Sequence, residues 1–160
     1  MILNVFIIFS LVLIADQLTK YWVRETMFMG QSIPVLGDIV RITYVENPGI
    51  AFGIRVTHGW LFTILSMLAS AGIIYYLVRQ WKASEWIKSS LAFILGGAIG
   101  NLIDRLRFAR VADFVDVGFG DVRWPVFNVA DAAVVVGMLM LFITLYIQEK
   151  KLSKPDSPEQ

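Results

Sequence analysis

Four stretches without a single Asp, Glu, Lys or Arg, residues 1–15, 56–78, 89–103 and 132–148, constrain this chain more than any other feature. Each is rich in Leu, Ile, Val, Phe or Ala, and a membrane-spanning helix needs about 20 mostly apolar residues. Only the second stretch has that length unaided. The other three reach it by admitting polar residues at one end: Asp16, Gln17 and Lys20 in the first, Asp104 in the third, Asn128 and Asp131 in the fourth. In an up-and-down bundle those three polar ends fall on one side of the membrane. With 57% hydrophobic residues and a mean hydropathy of +0.66, the expected fold is an all-α membrane protein, a four-transmembrane-helix bundle. A single membrane-embedded domain over residues 1–152 is expected, with helices at about 2–22, 57–78, 88–105 and 127–148 and a disordered polar tail at 153–160.

The loop charges orient this bundle. Arg79, Lys82 and Lys88 crowd the short connection between the second and third stretches, and Lys150, Lys151 and Lys154 follow the fourth. Both ends read as cytoplasmic. The two longer loops carry Arg24, Arg41 and Arg55 offset by Glu25, Asp38 and Glu46, and more Asp than Arg between residues 104 and 131, so they read as external. The first stretch has the length of a signal-peptide core, but it lacks a basic start and a small-x-small cleavage site, which favours its retention as a helix. Tyr21, Trp22, Trp60, Trp81, Trp86 and Trp124 fall near expected helix ends, as interfacial anchors do.

Counting residues narrows the chemistry. There is no cysteine and one histidine, His58, which excludes disulfides, thiolate catalysis, Fe–S clusters and Cys/His zinc sites. A metal site built from carboxylates survives the count. The net charge of +1 with no basic run argues against nucleic acid as a partner.

Residues 39–45 are β-branched, alternate with period two and lead into the turn formers Asn47, Pro48 and Gly49; residues 111–117 have similar propensity. The two can pair into a small extracytoplasmic β-sheet. In the third helix Ala92, Gly96 and Gly100, with Gly97 beside them, form a small-residue stripe for close helix packing. Asn101, Asp104 and Arg105 follow on the same face about one turn on. Asn128 and Asp131 repeat that i, i+3 spacing at the start of the fourth helix. Asn128 suits a helix N-cap, whereas Asp131 lies among apolar residues, where a carboxylate is a functional candidate by default.

Asp113 lies among apolar β-formers, and its ordinary place is the solvated face of a strand. If the strand folds back across the bundle mouth, Asp113 faces Asp131. Two carboxylates that close cannot both ionise, so one keeps a proton while the other acts as a base. Asp16 and Lys20, at i, i+4, suit a salt bridge at the membrane surface, with headgroup contact as the alternative. Asp104 is expected to act through the position of Arg105, and Asp38, Asp116 and Asp121 to be solvated loop charges.

Five ordered segments resemble a known family: Asp16-Gln17-Leu18-Thr19-Lys20, Asn47-Pro48-Gly49-Ile50-Ala51-Phe52, Gly97-Ala98-Ile99-Gly100-Asn101-Leu102-Ile103-Asp104-Arg105, Val111-Ala112-Asp113-Phe114 and Phe127-Asn128-Val129-Ala130-Asp131. Together they look like the motifs of bacterial lipoprotein signal peptidase (signal peptidase II). The resemblance implies an aspartic endopeptidase of the inner membrane that removes the signal peptide of diacylglyceryl-modified prolipoproteins. Two carboxylates suffice for that chemistry, so no metal or other cofactor is expected, and the loop charges put both termini in the cytoplasm. Carried over by position, Asp113 and Asp131 match the catalytic pair. Asn47, Gly49, Asn101, Asp104, Arg105, Asn128, Asp16 and Lys20 match residues expected to bind substrate or line the site. Membrane lipids are expected partners, nucleic acid is not, and a monomer is expected. One departure is visible: Ala109 and Arg110 stand where a turn glycine is expected.

Two other classes fit parts of the pattern. A small transporter or proton-conducting subunit also uses intramembrane carboxylates, but near midplane rather than gathered at one end. A structural subunit needs no convergent polar cluster.

Overall fold

The computed structural model describes residues 2–49 and 59–152. The expected helix start at residue 57, the motif residues Ile50, Ala51 and Phe52, and the tail 153–160 lie outside the described residues. Four helices, α1 (Ile2–Thr26), α2 (Gly59–Arg79), α3 (Glu85–Phe108) and α4 (Val129–Leu152), are each long and apolar enough to cross a membrane. Four strands, β1 (Ser32–Leu36), β2 (Val40–Asn47), β3 (Val111–Phe119) and β4 (Val122–Arg123), form one antiparallel sheet in the order β1-β2-β3-β4. Residues 39–45 and 111–117 therefore pair as expected, with Val45 opposite Asp113 and Asn47 opposite Val111. Flanking strands β1 and β4 were not visible in the sequence pattern.

The helix α3 is the most buried of the four and touches each of the others. Its glycines make this possible. A Cβ on Gly96 would lie 2.9 Å from Val12 of α1, one on Gly97 2.8 Å from Val134 of α4, and one on Gly100 2.5 Å from the Asp16 carboxylate. The small-residue stripe thus serves two neighbours, with Gly96 and Gly100 facing α1 and Gly97 facing α4. An alanine at Gly97 or Gly100 would push apart the helices that carry the polar residues described below.

Helix α1 runs on to Thr26, past the expected end near residue 22, because its last turn is a packing element. Val23 is fully buried and, with Met27, joins Tyr44 of β2 and Ala112 and Phe114 of β3 in one apolar cluster. Burying side chains of this size stabilises by roughly 1.5–3 kcal/mol each. That cluster anchors the sheet to the bundle and sets how β3 lies. Since successive strand residues face opposite ways, seating Ala112 and Phe114 on α1 turns Asp113 to the other side.

Helix α3 starts at Glu85 rather than near residue 88, because the Ser84 hydroxyl caps it by accepting the Ile87 N–H. It ends on Ala109, whose N–H donates to the Arg105 carbonyl and whose φ is +56°. This explains the departure noted in the sequence: the chain does make the left-handed turn that glycine favours, and does so with an alanine. The strain of that conformation is roughly 1–2 kcal/mol, partly offset by the unfolded-state freedom a glycine adds. Ala109→Gly should stabilise the protein by about 1 kcal/mol, a rise in Tm of about 2–4 °C on thermal unfolding in detergent micelles. A lower Tm would contradict this account of the turn.

Candidate active site

The polar ends of α1, α3 and α4 meet beneath the β2–β3 pair. At the start of α4, Asn128 is the N-cap: its Oδ1 accepts the N–H of Asp131 at 2.9 Å, while Asp131 Oδ2 accepts the N–H of Asn128 at 3.2 Å. This is the reciprocal capping box, with Asn and Asp in place of the commoner Ser/Thr and Glu/Gln. Capping fixes the Asn128 amide with its nitrogen outward, and that nitrogen donates to Asp113 Oδ1 at 2.6 Å. Asn128 is therefore both the helix cap and a bridge between the two aspartates. The cap and the site are the same atoms.

The remaining oxygens are held from other elements. Asn101 of α3 donates to Asp131 Oδ1 at 2.8 Å, and its own Oδ1 accepts from Asn128 at 3.2 Å and from the Lys20 ammonium at 2.8 Å. Asn47 of β2 donates to Asp113 Oδ2 at 3.2 Å while its Oδ1 accepts the Gly49 N–H at 2.9 Å. Gly49 has φ +103°, and a Cβ there would meet the Phe62 ring, so only glycine fits this turn. Burial and the neighbouring Asp131 carboxylate push Asp113 up to about 6, against the opposing pull of Asn128, Asn47 and the Lys20 charge. Arg105 lies within electrostatic reach of both aspartates, and its Nη1 donates to Ser66 Oγ of α2 at 3.1 Å.

Below this pair is a second, fully buried group. Lys20 Nζ lies 2.9 Å from Asp16 Oδ2 and 3.5 Å from Asp104 Oδ2, with all three side chains at 0% exposure. Asp16 also accepts the N–H of Ala130 at 3.0 Å and the Gln17 amide at 3.0 Å, which ties the first turn of α4 to α1. Asp104 accepts Arg24 at 2.8 and 3.4 Å and the N–H of Ala112 at 3.1 Å. Asp16, Lys20, Arg24 and Asp104 are two acids and two bases, so their formal charges cancel within the group.

Two expectations are corrected here. Asp104 pairs with Arg24 and Lys20, not with the guanidinium of Arg105, because Arg105 turns toward α2. Asp116 is no solvated loop charge: it is 5% exposed on β3 and accepts from Arg123 Nε at 2.5 Å and Thr43 Oγ1 at 2.7 Å. Burial works against its charge, yet these bonds hold its carboxyl below the ordinary range. Asp38, by contrast, is exposed and pairs with Arg41. Arg24 was missed by sequence reasoning, which left it in a loop, although its i+4 spacing from Lys20 continues the Asp16–Lys20 face. Among the described residues no cluster of three or more acidic or histidine side chains is arranged to hold a metal ion.

The arrangement has counterparts. The family described as Signal peptidase (SPase) II, peptidase family A8, matches residues 8–147. This chain belongs to the signal peptidase II family. It is 38% identical to the lipoprotein signal peptidase of Syntrophus aciditrophicus over 90% of this chain and 92% of that protein. It is likewise 40% identical to that of Halalkalibacterium halodurans, over 93% of this chain and 96% of that protein, and 38% identical to that of Bacillus subtilis, over 93% and 97%. Among solved structures, a bacterial membrane enzyme determined by the in meso method at 2.3 Å superposes with a TM-score of 0.86, at 28% identity, over 97% of this chain and 94% of that one. A second, at 1.9 Å, gives 0.81 at 30% identity, over 88% and 91%. These likenesses make the chain a multi-pass membrane peptidase of the signal peptidase II family, and the transporter reading is not favoured.

Proposed function

We propose that this signal peptidase II family member is an aspartic endopeptidase in which Asp113 and Asp131 cleave the signal peptide from diacylglyceryl-modified prolipoproteins. The observation that carries the reading is the Asn128 bridge, which holds two carboxylates from different elements beside one another at the polar end of the bundle. Asp113, pushed up to about 6, keeps the shared proton. Asp131, whose oxygens accept the Asn101 amide and the Asn128 backbone N–H, is the base. Asp131 takes a proton from a water as its oxygen bonds to the scissile carbonyl carbon, and Asp113 gives its proton to the carbonyl oxygen. On collapse of the tetrahedral intermediate the hydroxyl proton returns to Asp113, and Asp131 protonates the departing amine. Arg105 balances the single negative charge that the pair retains.

In this reading Asn47, Gly49, Asn101, Arg105 and Asn128 line the substrate site, while Asp16, Lys20 and Asp104 act from beneath as its support. Residues 1–152 work as one domain, a monomer, in the inner membrane. The basic residues Arg79, Lys82, Lys150 and Lys151 support a cytoplasmic position for the ends opposite the site, so the aspartates open to the outer face, where a signal-peptide helix ends.

Purified protein in micelles should shorten a synthetic diacylglyceryl-modified precursor, cutting before the lipid-bearing cysteine, and should leave the unlipidated peptide intact. EDTA and reagents for serine or thiol nucleophiles should not slow it. In membrane vesicles, only the orientation exposing the outer face should cut added precursor. No product would overturn the assigned cleavage activity. Loss in EDTA, restored by a divalent ion, would require a carboxylate–metal site instead.

A further inference from the structure

Asp113 can meet Asp131 only if the start of β3 is held at one height above the bundle. The apolar cluster under β3 and the Asn128 bond to the Ala112 carbonyl help to hold it. One further hydrogen bond is unusual: the N–H of Ala112, the residue before Asp113, donates not to a neighbouring strand but to the carboxylate of Asp104, inside α3. That carboxylate is wholly buried and so depends on its cations for both its charge and its rotamer. Lys20 reaches it at 3.5 Å from one side. Arg24 grips both oxygens, at 2.8 and 3.4 Å.

Arg24 is itself fixed on the far side. Its guanidinium lies 4.1 Å from the centroid of the Phe108 ring, in cation–π contact with the last residue of α3, and it lies within reach of the Tyr44 hydroxyl of β2. One guanidinium from α1 therefore touches α3 and, through Asp104, bears on β3, with Tyr44 of β2 within its electrostatic reach. A planar fork can do this, whereas an ammonium can satisfy one Asp104 oxygen but cannot lock the carboxylate plane.

We infer that Arg24 is a positioning residue for peptide cleavage, which sets the height of Asp113 over the Asn128–Asp131 box through the relay Arg24, Asp104, Ala112 N–H. This rests on the assignment of Asp113 and Asp131 as the reacting pair. Arg24 does not touch the reacting atoms, so its loss changes how Asp113 is held. With the relay slack, the 2.6 Å bond from Asn128 and the 3.2 Å bond from Asn47 lengthen, and Asp113 loses the donors that oppose its high proton affinity. The charged groups that face Asp113 come from α1 (Lys20), α3 (Arg105) and α4 (Asp131), and the substitution leaves all of them in place.

The test measures kcat, KM, the pH profile of kcat/KM and Tm with lipidated precursor for the parent, Arg24→Gln, Arg24→Lys and, as a comparison, Arg110→Gln. Arg110, itself half exposed, pairs with Glu46, and among the described residues it makes no hydrogen bond to Asp104, Asp113 or Asp131. Arg24→Gln should lower kcat about 30-fold with KM within about threefold, and should move the descending limb of the profile upward by half a pH unit or more. Arg24→Lys, which keeps the charge, should keep Tm near the parent's, lose about 5- to 10-fold in kcat and move the limb in the same direction. Because both residues act in one relay, Arg24→Lys combined with Asp104→Asn should be no slower than Asp104→Asn alone. If Arg24→Gln fails to accumulate, Arg24→Lys decides the matter. Parent-like kcat and an unmoved limb in Arg24→Lys would overturn the inference, as would a loss no greater than that of Arg110→Gln. A parent protein that cuts no precursor would instead overturn the assigned function.

Discussion

Replacing either Asp113 or Asp131 with Asn should reduce turnover to background while leaving accumulation and capture of lipidated precursor intact. Asparagine keeps the size and one of the two acceptor oxygens by which each aspartate is held, but it cannot hold or release the shared proton. Asn128 can still cap α4 in Asp131→Asn, because its Oδ1 accepts a backbone N–H that the substitution leaves untouched. The double variant should be barely worse than either single one, since the two groups act as a unit. Asp38→Asn, on an exposed strand connection where it pairs with Arg41, should stay within a few-fold of the parent. Normal cleavage by Asp113→Asn would show that another group supplies the proton and would end the dyad assignment.

Lys20→Met should act in the opposite sense, chiefly on stability. Lys20 is fully buried and its ammonium is shared by Asp16, Asp104 and Asn101. Removing it leaves two buried carboxylates to one remaining cation, Arg24. Breaking a buried pair in this way costs about 3–5 kcal/mol, a large part of the net stability of an ordinary domain. Accumulation in the membrane and Tm in micelles should both fall sharply, and adding Asp16→Asn to Lys20→Met should recover part of the loss by removing the orphaned charge. Parent-like Tm with abolished cleavage would instead make Lys20 a substrate contact.

The bundle was legible because uncharged runs of spanning length have few alternatives, and the β2–β3 pair because alternation survives in residues 39–45 and 111–117. The edge strands were not legible. Pro34 within β1 argues against a strand unless that strand lies at an edge, and β4 is two residues long. The same gap explains the misreading of Asp116, whose partner Arg123 arrives on β4. Alternation alone could have placed Asp116 with Ala112 and Phe114 on the face opposite Asp113. Arg24 was lost for a different reason: the charges after Lys20 look like the start of a loop, and only the packing of Val23 and Met27 beneath the sheet carries α1 on to Thr26. Asn128 was readable as a cap or as a site residue, and the reciprocal bonds with Asp131 make it both.

The central claim is that Asp113 and Asp131 work with one proton between them, and the pH dependence of cleavage by the purified protein tests it most directly. The profile of kcat/KM should be bell-shaped. It should fall at high pH with an apparent value near 6, where the free pair loses the proton that burial and Asp131 hold on Asp113, and fall again at lower pH as the pair takes up a second proton. Bound substrate excludes water and disfavours the second charge further, so the descending limb of kcat should lie at higher pH than that of kcat/KM. A flat profile of both parameters from about pH 4 to pH 8 would contradict the account.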